Sequence, residues 1–194
     1  MYGYVNSVLS ANCAPEIISL AKYSHNITKE LSESYAAVYN MRSFINNGEV
    51  VCIGDGALCL TGAMFSLFSK NNVVSIDPVI NADKVRDWVM DNDISRLRGY
   101  KGKYQDVIAF DVSQAKTIVC VHAHVTLTDV IKYYPCWDYL YSNPCCFPEK
   151  QTFSEEFIKG HNIELVMYKE DKSILSPHNK IYIYKNNNKQ GSVK

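Results

Sequence analysis

The hydrophobic and polar positions of residues 50–78 follow two different periods. An apolar, β-branched run at 50–53 stops at a glycine turn, 54–56, and apolar side chains then recur at helical spacing through 60–68. A second β-branched run at 73–76 leads directly into an aspartate. This succession predicts a strand, a turn, a helix and a second strand, the unit that opens a nucleotide-binding α/β sheet. A βαβ unit with a purely structural role has the same pattern and remains the alternative.

The turn and the aspartate carry the chemistry that such a unit can perform. Gly54 and Gly56 allow the backbone to approach a ligand at a helix N-terminus. Asp77 lies about 20 residues further on, the spacing at which a carboxylate accepts both hydroxyls of a ribose. A dinucleotide-binding turn would carry a third glycine, whereas this chain continues with Ala57-Leu58-Cys59. The pattern therefore favours a ligand with a ribose but no pyrophosphate, and S-adenosylmethionine fits that description better than NAD.

The segment before the first strand, residues 1–48, is predicted to be a helical extension. Pro15 suits a first helical position, and a longer apolar stripe runs from Ile27 to Ile45 at spacings of three and four. Asn46-Asn47-Gly48 provides a C-terminal stop.

Beyond Asp77, β-branched runs continue to alternate with helical patterns. The remaining predicted strands are 94–99, 117–121, 138–142, 163–171 and 180–185. The last two are joined by a short polar loop, so they form an antiparallel hairpin. Residues 106–110 also have strand character, but too few residues separate them from the next run for a parallel crossover. A helix at 104–114 is therefore preferred.

Capping patterns place the intervening helices. Thr126-x-x-Asp129 and Thr152-x-x-Glu155 are each typical of a capping box at a helix start. The sum of these elements predicts an α/β fold: a three-layer, Rossmann-like sheet of about seven strands with a C-terminal antiparallel β-hairpin. This domain is expected to span 49–186, and 187–194 is expected to be a polar tail.

Composition and charge restrict the classes of partner. The chain has 194 residues, of which 47% are hydrophobic, enough for one domain with a proper core. Its formal net charge is zero, so contact with a polyanion must come from a local patch. No apolar run approaches the length of a membrane span, and seven cysteines without a secreted framework indicate reduced thiols. We expect a cytoplasmic protein with no membrane partner.

Two stretches of the sequence resemble known motifs. IGDG, followed by a helix and then SIDP, resembles motifs I and II of class I, S-adenosylmethionine-dependent methyltransferases. VHAHVTLTD followed by SNPCC resembles a subgroup with His-Ala-x-x-x-Leu-Thr-Asp and Pro-Cys-Cys segments after strands four and five. The resemblance implies S-adenosylmethionine as the cofactor, an RNA or protein acceptor, and N-terminal helices that often roof the cofactor site.

The resemblance also implies which residues contact the cofactor. Asp77 would hold the ribose, and the glycine turn would hold the methionine end. Residues near the adenine would come from the segment after the third strand. The candidate cofactor-binding residues are Gly54, Asp55, Gly56, Asp77, Pro78, Lys101 and Asp106.

The loops after strands four and five are expected to face the methyl acceptor, because ligands bind outside the carboxyl ends of parallel strands. His122 and His124 alternate, so they face opposite sides if the strand persists, and one of them could orient or deprotonate a nucleophile. Asn143-Pro144 resembles the Asn-Pro-Pro-aromatic motif of amino-methylating enzymes, although it follows strand five rather than strand four. His122, His124 and Asn143 are the catalytic candidates; histidines bonded to backbone and a turn asparagine are the alternatives.

Other chemistry is less well supported by the pattern. A basic and aromatic stretch suits RNA contact but would look the same as a solvated face; it comprises Arg96, Arg98, Tyr100, Lys101, Lys103 and Tyr104. Zinc ligands are available in His122, His124, Cys136, Cys145 and Cys146. Adjacent cysteines chelate one ion poorly and no C-x-x-C is present, so no metal site is predicted. The competing function is a catalytically degenerate scaffold or partner subunit, whose cleft would be filled by Leu58, Cys59 or the N-terminal helices.

Overall fold

The computed structural model describes residues 3–45, 48–107 and 115–188, which build one seven-stranded sheet with helices on both faces. In chain order the elements are α1 (Gly3–Leu9), α2 (Ala14–Ala21), α3 (Ile27–Met41), β1 (Glu49–Ile53), α4 (Leu60–Phe68), β2 (Val73–Asp77), α5 (Ala82–Asp91), β3 (Leu97–Lys101), β4 (Ala115–Val121), α6 (Leu127–Tyr133), β5 (Tyr139–Asn143), α7 (Glu155–Gly160), β6 (Ile163–Glu170) and β7 (Lys180–Asn186). None of the helices in these ranges combines the length and the apolar character needed to cross a bilayer.

The strand order confirms the predicted fold class. Five parallel strands lie in the order β3-β2-β1-β4-β5, and β7 pairs antiparallel with both β5 and β6. The C-terminal hairpin predicted from the short loop before residue 180 is therefore present. The chain leaves β1 toward β2 on one side and later returns as β4 on the other. A crevice at the carboxyl ends of β1 and β4 follows from this reversal, and it is where α/β sheets bind ligands.

The hydrophobic core lies on both faces of the sheet because successive strand residues point to opposite sides. Val50 and Cys52 pack against the side formed by α1 to α5, whereas Val51 and Ile53 pack against the side that includes α6. The N-terminal helices thus share one core with the sheet.

Two boundaries differ from the sequence-based expectation. β3 begins at Leu97 rather than at residue 94, because the Ile94 amide donates to the Val89 carbonyl (3.0 Å) and Ile94 packs into the core at the end of α5. The described start of the predicted helix at 104–114 is a turn, in which the Asp106 amide donates to the Lys103 carbonyl at 3.0 Å. Residues 108–114 lie outside the described residues.

Neither capping box forms as predicted. Thr126 does precede α6, but its side chain makes no capping bond, and Asp129 instead pairs with Lys132 at 2.9 Å. α7 is capped by Ser154, whose Oγ accepts from the Phe157 amide at 3.2 Å. Thr152 lies outside that helix and donates to the Pro148 carbonyl at 2.9 Å. The four-residue pattern alone does not distinguish these neighbouring hydroxyls.

α3 lies over the start of α4, and this places it above the glycine turn. The hydroxyls of Ser34 on α3 and Thr61 on α4 are 3.1 Å apart and buried. α2 is tied to α5 on the same face of the sheet, because Trp88 Nε1 on α5 donates to the Glu16 carbonyl at 2.8 Å. These bonds hold the N-terminal helices over the carboxyl end of β1.

Candidate functional site

Two cavities lie side by side at the carboxyl ends of β1, β2 and β4. The smaller, about 390 Å³, lies under α3, and the larger, about 670 Å³, lies beside the end of β2. Both are lined by Gly54, Gly56 and His122, so these residues form the wall between them. Volumes of this size are typical of small-molecule sites.

Asp55 organises the turn from inside. Its Oδ1 accepts from the Thr61 amide (2.9 Å), and its Oδ2 accepts from the Gly62 amide (2.8 Å) and the Ser75 hydroxyl (2.6 Å). Asp55 thereby caps α4, whose N-cap residue Cys59 makes no side-chain bond. Desolvation by burial raises the Asp55 pKa to about 6, although the three donors act in the opposite direction. Asp55 lines the smaller cavity.

Two residues compensate for the missing third glycine of the turn. Cys59, at the place where that glycine would stand, has φ +52°, a left-handed conformation that non-glycine residues rarely adopt. Gly62 provides the close approach of helix and strand, because a Cβ there would lie 2.0 Å from Ser75 Oγ on β2. Counting glycines in the sequence did not reveal either role, since both depend on how α4 meets β2.

Asp77 stands at the tip of β2, as predicted, and lines the larger cavity together with Pro78. Its Oδ2 accepts from the Gly56 amide at 3.0 Å and its Oδ1 from the Val79 amide at 2.9 Å. Each carboxylate oxygen has a second acceptor position. The glycine turn therefore fixes the orientation of a carboxylate that can still accept bonds from a ligand.

The far wall of the larger cavity comes from the segment after β3. Gly102, Lys103, Tyr104 and Gln105 line it. Lys101, which pairs with Asp77 across the strands, and Asp106 are exposed and are not among the lining residues. The structure thus brings the expected segment to the cavity but not the two residues singled out in it.

Glu33 is a buried carboxylate of the smaller cavity that sequence reasoning missed. It belongs to α3, is 4% exposed, and its Oε1 has no hydrogen-bond partner among the described residues. Oε1 lies 3.4 Å from His122 Nδ1 and 3.6 Å from Lys29 Nζ. Burial raises the Glu33 pKa to about 7. The only signal in the sequence was an acidic residue within the helix predicted from the apolar stripe.

His122 ends the fourth strand instead of continuing it. Its φ of +50° turns the chain, so the predicted alternation of His122 and His124 does not hold. The imidazole lies between Glu33 and the His178 carbonyl, which is 3.4 Å from Nε2. Burial lowers the His122 pKa to about 4, so the ring is neutral at physiological pH.

Of the other two catalytic candidates, His124 lies at a cavity and Asn143 does not. His124 is exposed and lines the larger cavity. Asn143 is fully buried at the end of β5 and is not among the residues that line either cavity. Its Nδ2 donates to the carbonyls of His178 and Lys180, at 2.9 Å each. Asn143 therefore joins β5 to the segment that enters β7.

Comparison with known proteins adds the fold relationship. No protein-family model matches the chain, and no curated protein sequence matches it. Among solved structures, an MtNAS variant in complex with S-adenosylmethionine has a TM-score of 0.58 at 14% identity, over 95% of this chain and 70% of that one. A candidate RNA methyltransferase from Pyrococcus horikoshii has a TM-score of 0.56 at 14% identity, over 91% and 98%. Ribosomal protein L11 methylase from Lactobacillus delbrueckii subsp. bulgaricus has 0.55 at 12%, over 83% and 80%. These likenesses show that the chain has the fold of class I, S-adenosylmethionine-dependent methyltransferases.

Proposed function

We propose that this protein is an S-adenosylmethionine-dependent methyltransferase. The observation that carries the proposal is Asp77, a carboxylate at the tip of β2 whose orientation is fixed by the Gly56 amide and which borders an open cavity. A carboxylate in this place can accept both ribose hydroxyls of an adenosine. The resemblance of IGDG and SIDP to methyltransferase motifs I and II supports the same assignment.

The two cavities fit the two halves of the cofactor. The ribose and adenine would lie in the larger cavity, against Asp77 and the segment 102–105. The amino-acid end would lie in the smaller one, against the turn and Glu33. The bound cofactor supplies an activated methyl group on sulfur, and the chain's own task is to align an acceptor with it and exclude water. α3, which covers the smaller cavity, would perform the second task.

Glu33 and His122 would handle the proton of the acceptor, if one must leave. A carboxyl group with a pKa near 7 is poised to take up or release a proton at physiological pH. The neutral His122 ring beside it would orient Glu33. His124 and Asn143 stay weaker candidates, the former because it is exposed and the latter because its amide is committed to backbone carbonyls.

RNA is the acceptor that we propose first, modified on a base or a 2′-hydroxyl, and protein the second. Lys103 and Tyr104 bring a cation and an aromatic ring to the wall of the larger cavity. Part of the predicted basic stretch is committed to the fold, because Arg96 donates to the Ser66 carbonyl and Arg98 pairs with Glu49. None of the seven cysteines, all of which lie in the described ranges, forms a disulfide, and on that ground we propose a reducing, cytoplasmic location.

The test is calorimetric titration of the protein with S-adenosylhomocysteine, with NADH as the control ligand. We expect micromolar binding of the former alone. Asp77→Ala should weaken that affinity at least about tenfold, because hydrogen bonds to a charged group contribute about 1.5–3 kcal/mol each. Asp83→Ala removes an exposed carboxylate from α5 and should leave the affinity unchanged. Thermal unfolding without ligand establishes that each variant is folded.

Binding of neither ligand would favour the degenerate scaffold or a subunit that needs a partner protein. The cleft itself argues for a competent site: Leu58 forms part of a cavity wall, Cys59 is buried beneath it, and α3 leaves the cavity open. Once binding is established, transfer of a labelled methyl group to RNA or to protein fractions distinguishes the acceptors.

A further inference from the structure

The loops that follow β4 and β5 bring three soft metal ligands together. The ligand atoms of His124, Cys145 and Cys146 all lie within 4.8 Å of one another. Cys136, another candidate from the sequence, precedes β5 at the opposite end of the sheet, where its carbonyl lies 3.4 Å from Lys116 Nζ. The His122 ring is engaged with Glu33 and the His178 carbonyl. The structure thus selects three of the five residues.

The convergence follows from the parallel pairing of β4 with β5. Adjacent parallel strands end at the same edge, and here the His122 amide donates to the Asn143 carbonyl at 3.0 Å just beyond the last ladder pair. His124 and Cys145 each come two residues after a member of that bond. The left-handed turn at His122 redirects the chain at this edge.

Cys145 is held in place by a buried amide. Its backbone amide donates to Gln151 Oε1 at 2.7 Å, and Gln151 Nε2 lies 3.7 Å from Cys145 Sγ as a donor. Gln151 is 2% exposed, and its own carbonyl accepts from the Ser142 hydroxyl at 2.6 Å. As a thiol, Cys145 Sγ donates to the His122 carbonyl at 3.6 Å, a bond that metal binding would replace. The Gln151 donor fixed against the sulfur would stabilise the thiolate and orient it, as residues around metal ligands do.

The separations are close to those of a tetrahedral zinc site. Zinc–sulfur and zinc–nitrogen bonds of about 2.3 and 2.0–2.1 Å place neighbouring ligand atoms about 3.5–3.8 Å apart. Because the three ligand atoms lie within 4.8 Å of one another, the group needs to contract by about 1.3 Å at most. His124 and Cys146 are exposed and can supply that movement by rotating their side chains, while Cys145 stays fixed.

We propose that His124, Cys145 and Cys146 bind one Zn²⁺ ion, with a water molecule as the fourth ligand. The sequence argued against zinc because adjacent cysteines alone chelate one ion poorly. In the structure His124 adds a third ligand from another loop and Cys145 is held in place, and both favour metal binding. Since His124 also lines the larger cavity, the ion forms part of that cavity's wall. Metal binding then joins the loops after β4 and β5.

The experiment titrates the reduced, metal-free full chain with Co²⁺, followed by displacement with Zn²⁺. We expect one equivalent to produce a sulfur-to-cobalt charge-transfer band and the visible bands of tetrahedral cobalt. Cys146→Ser and His124→Ala change exposed residues and should each lower the affinity at least about tenfold. Gln151→Leu should weaken binding while leaving all three ligands in place. Cys136→Ser is the matched control and should have no effect.

Three results would overturn the proposal. One is the absence of a charge-transfer band at saturating Co²⁺. Another is an unchanged affinity in both Cys146→Ser and His124→Ala. The third is a loss of binding in Cys136→Ser equal to that in Cys146→Ser. Protection of Cys146 from alkylation by Zn²⁺, read by mass spectrometry, gives an independent measurement, and no step requires S-adenosylmethionine or a methyl acceptor.

Discussion

Two carboxylates at the smaller cavity have raised pKa values. The pKa of Asp55, which accepts three hydrogen bonds, rises to about 6, and the pKa of Glu33, which lies near Lys29 and Ser176, rises to about 7. Burial raises both values, and donors oppose the rise. A protonated Glu33 can donate a hydrogen bond to Nδ1 of the neutral His122 ring. Nε2 of that ring then carries the hydrogen and faces the His178 carbonyl.

Replacing Glu33 with glutamine is expected to change the pH dependence of stability. The folded-state pKa lies above the unfolded value, so the wild-type protein loses stability as pH rises from about 4.5 to about 7, while Glu33→Gln does not. At pH 8 the variant should be more stable by about 3–4 kcal/mol, since the pKa of Glu33 rises from 4.5 to about 7 and one pKa unit corresponds to about 1.4 kcal/mol. Urea unfolding at pH 5 and at pH 8 measures the difference.

The control variant changes an acid that is not among the groups facing Glu33. Lys29 and Glu30 belong to its own helix, Ser176 to the loop before β7, His122 to the loop after β4, and Tyr141 to β5. Glu156→Gln, an exposed acid on α7, should give the same pH dependence as the wild-type protein. Equal stability of Glu33→Gln and wild type at both pH values would contradict the raised pKa.

For single residues, type and spacing in the sequence indicated a role, but they did not reveal which groups each side chain contacts. Asp77 could be predicted because its role follows from a spacing within one βαβ unit. Glu33 could not, since its burial depends on how α3 folds back over a turn about 20 residues later. Asn143 was assigned to the acceptor, yet its amide bonds to carbonyls of a segment more than 30 residues away.

α4 lies close against β2 near the site. This contact depends on Gly62, where a Cβ would meet Ser75 Oγ at 2.0 Å, Leu97 Cδ1 at 3.0 Å and Asp55 Oδ2 at 3.1 Å. The atoms it would displace include a hydroxyl that is hydrogen-bonded to Asp55. If a methyl group is added, either Ser75 must rotate and lose its bond to Asp55 or the helix must move away from β2.

Gly62→Ala is expected to lower the free energy of unfolding by about 2–3 kcal/mol, because overpacking forces backbone shifts that exceed the gain in helix propensity. Gly160→Ala, at the end of α7, adds the same methyl group where no atom lies within 4 Å. That control should be neutral or slightly stabilising. Chemical denaturation of both variants makes the comparison, and a Gly62→Ala protein as stable as Gly160→Ala would refute the packing argument.

Helices and strands were predictable where the hydrophobic positions followed a single helical or strand period. Their ends were harder to predict. The parallel strands and the hairpin follow from β-branched runs and loop lengths, which act locally. Helix starts were not predictable from the local pattern. Ser154 rather than Thr152 caps α7, and Asp55, which lies outside α4, caps that helix through its side chain. Caps depend on which hydroxyl or carboxylate the tertiary structure brings to the free amides.

At the scale of the whole molecule, the first helix is bonded to the hairpin at the opposite end of the sequence. The Tyr4 hydroxyl donates to Asp171 Oδ2 at 2.5 Å, and both side chains are buried. Asp171 also accepts from Lys169 Nζ (2.9 Å) and the Ser173 amide (3.0 Å). The predicted N-terminal helical extension thus shares a hydrophobic core with the sheet.

Tyr4→Phe is expected to lower the free energy of unfolding by about 1.5–3 kcal/mol, the contribution of a hydrogen bond to a charged group. Hydrogen exchange should accelerate first in α1, since its bond to the hairpin is lost. Tyr168→Phe removes a hydroxyl from a half-exposed ring on β6 and should be within about 0.5 kcal/mol of wild type. Unchanged exchange in α1 would indicate that apolar packing alone holds this helix.

The order of the last three strands has a consequence for how the chain folds during synthesis. β6 leaves the ribosome before β7, yet β7 lies between β5 and β6 in the sheet. β6 has no neighbour in the sheet until β7 has been made, so residues 163–170 must wait as an unpaired segment. The hairpin pairs with the parallel strands through β7 and not through β6, so its attachment to β5 requires β7, and the loop residue Asp171 that bonds to Tyr4 belongs to the same hairpin.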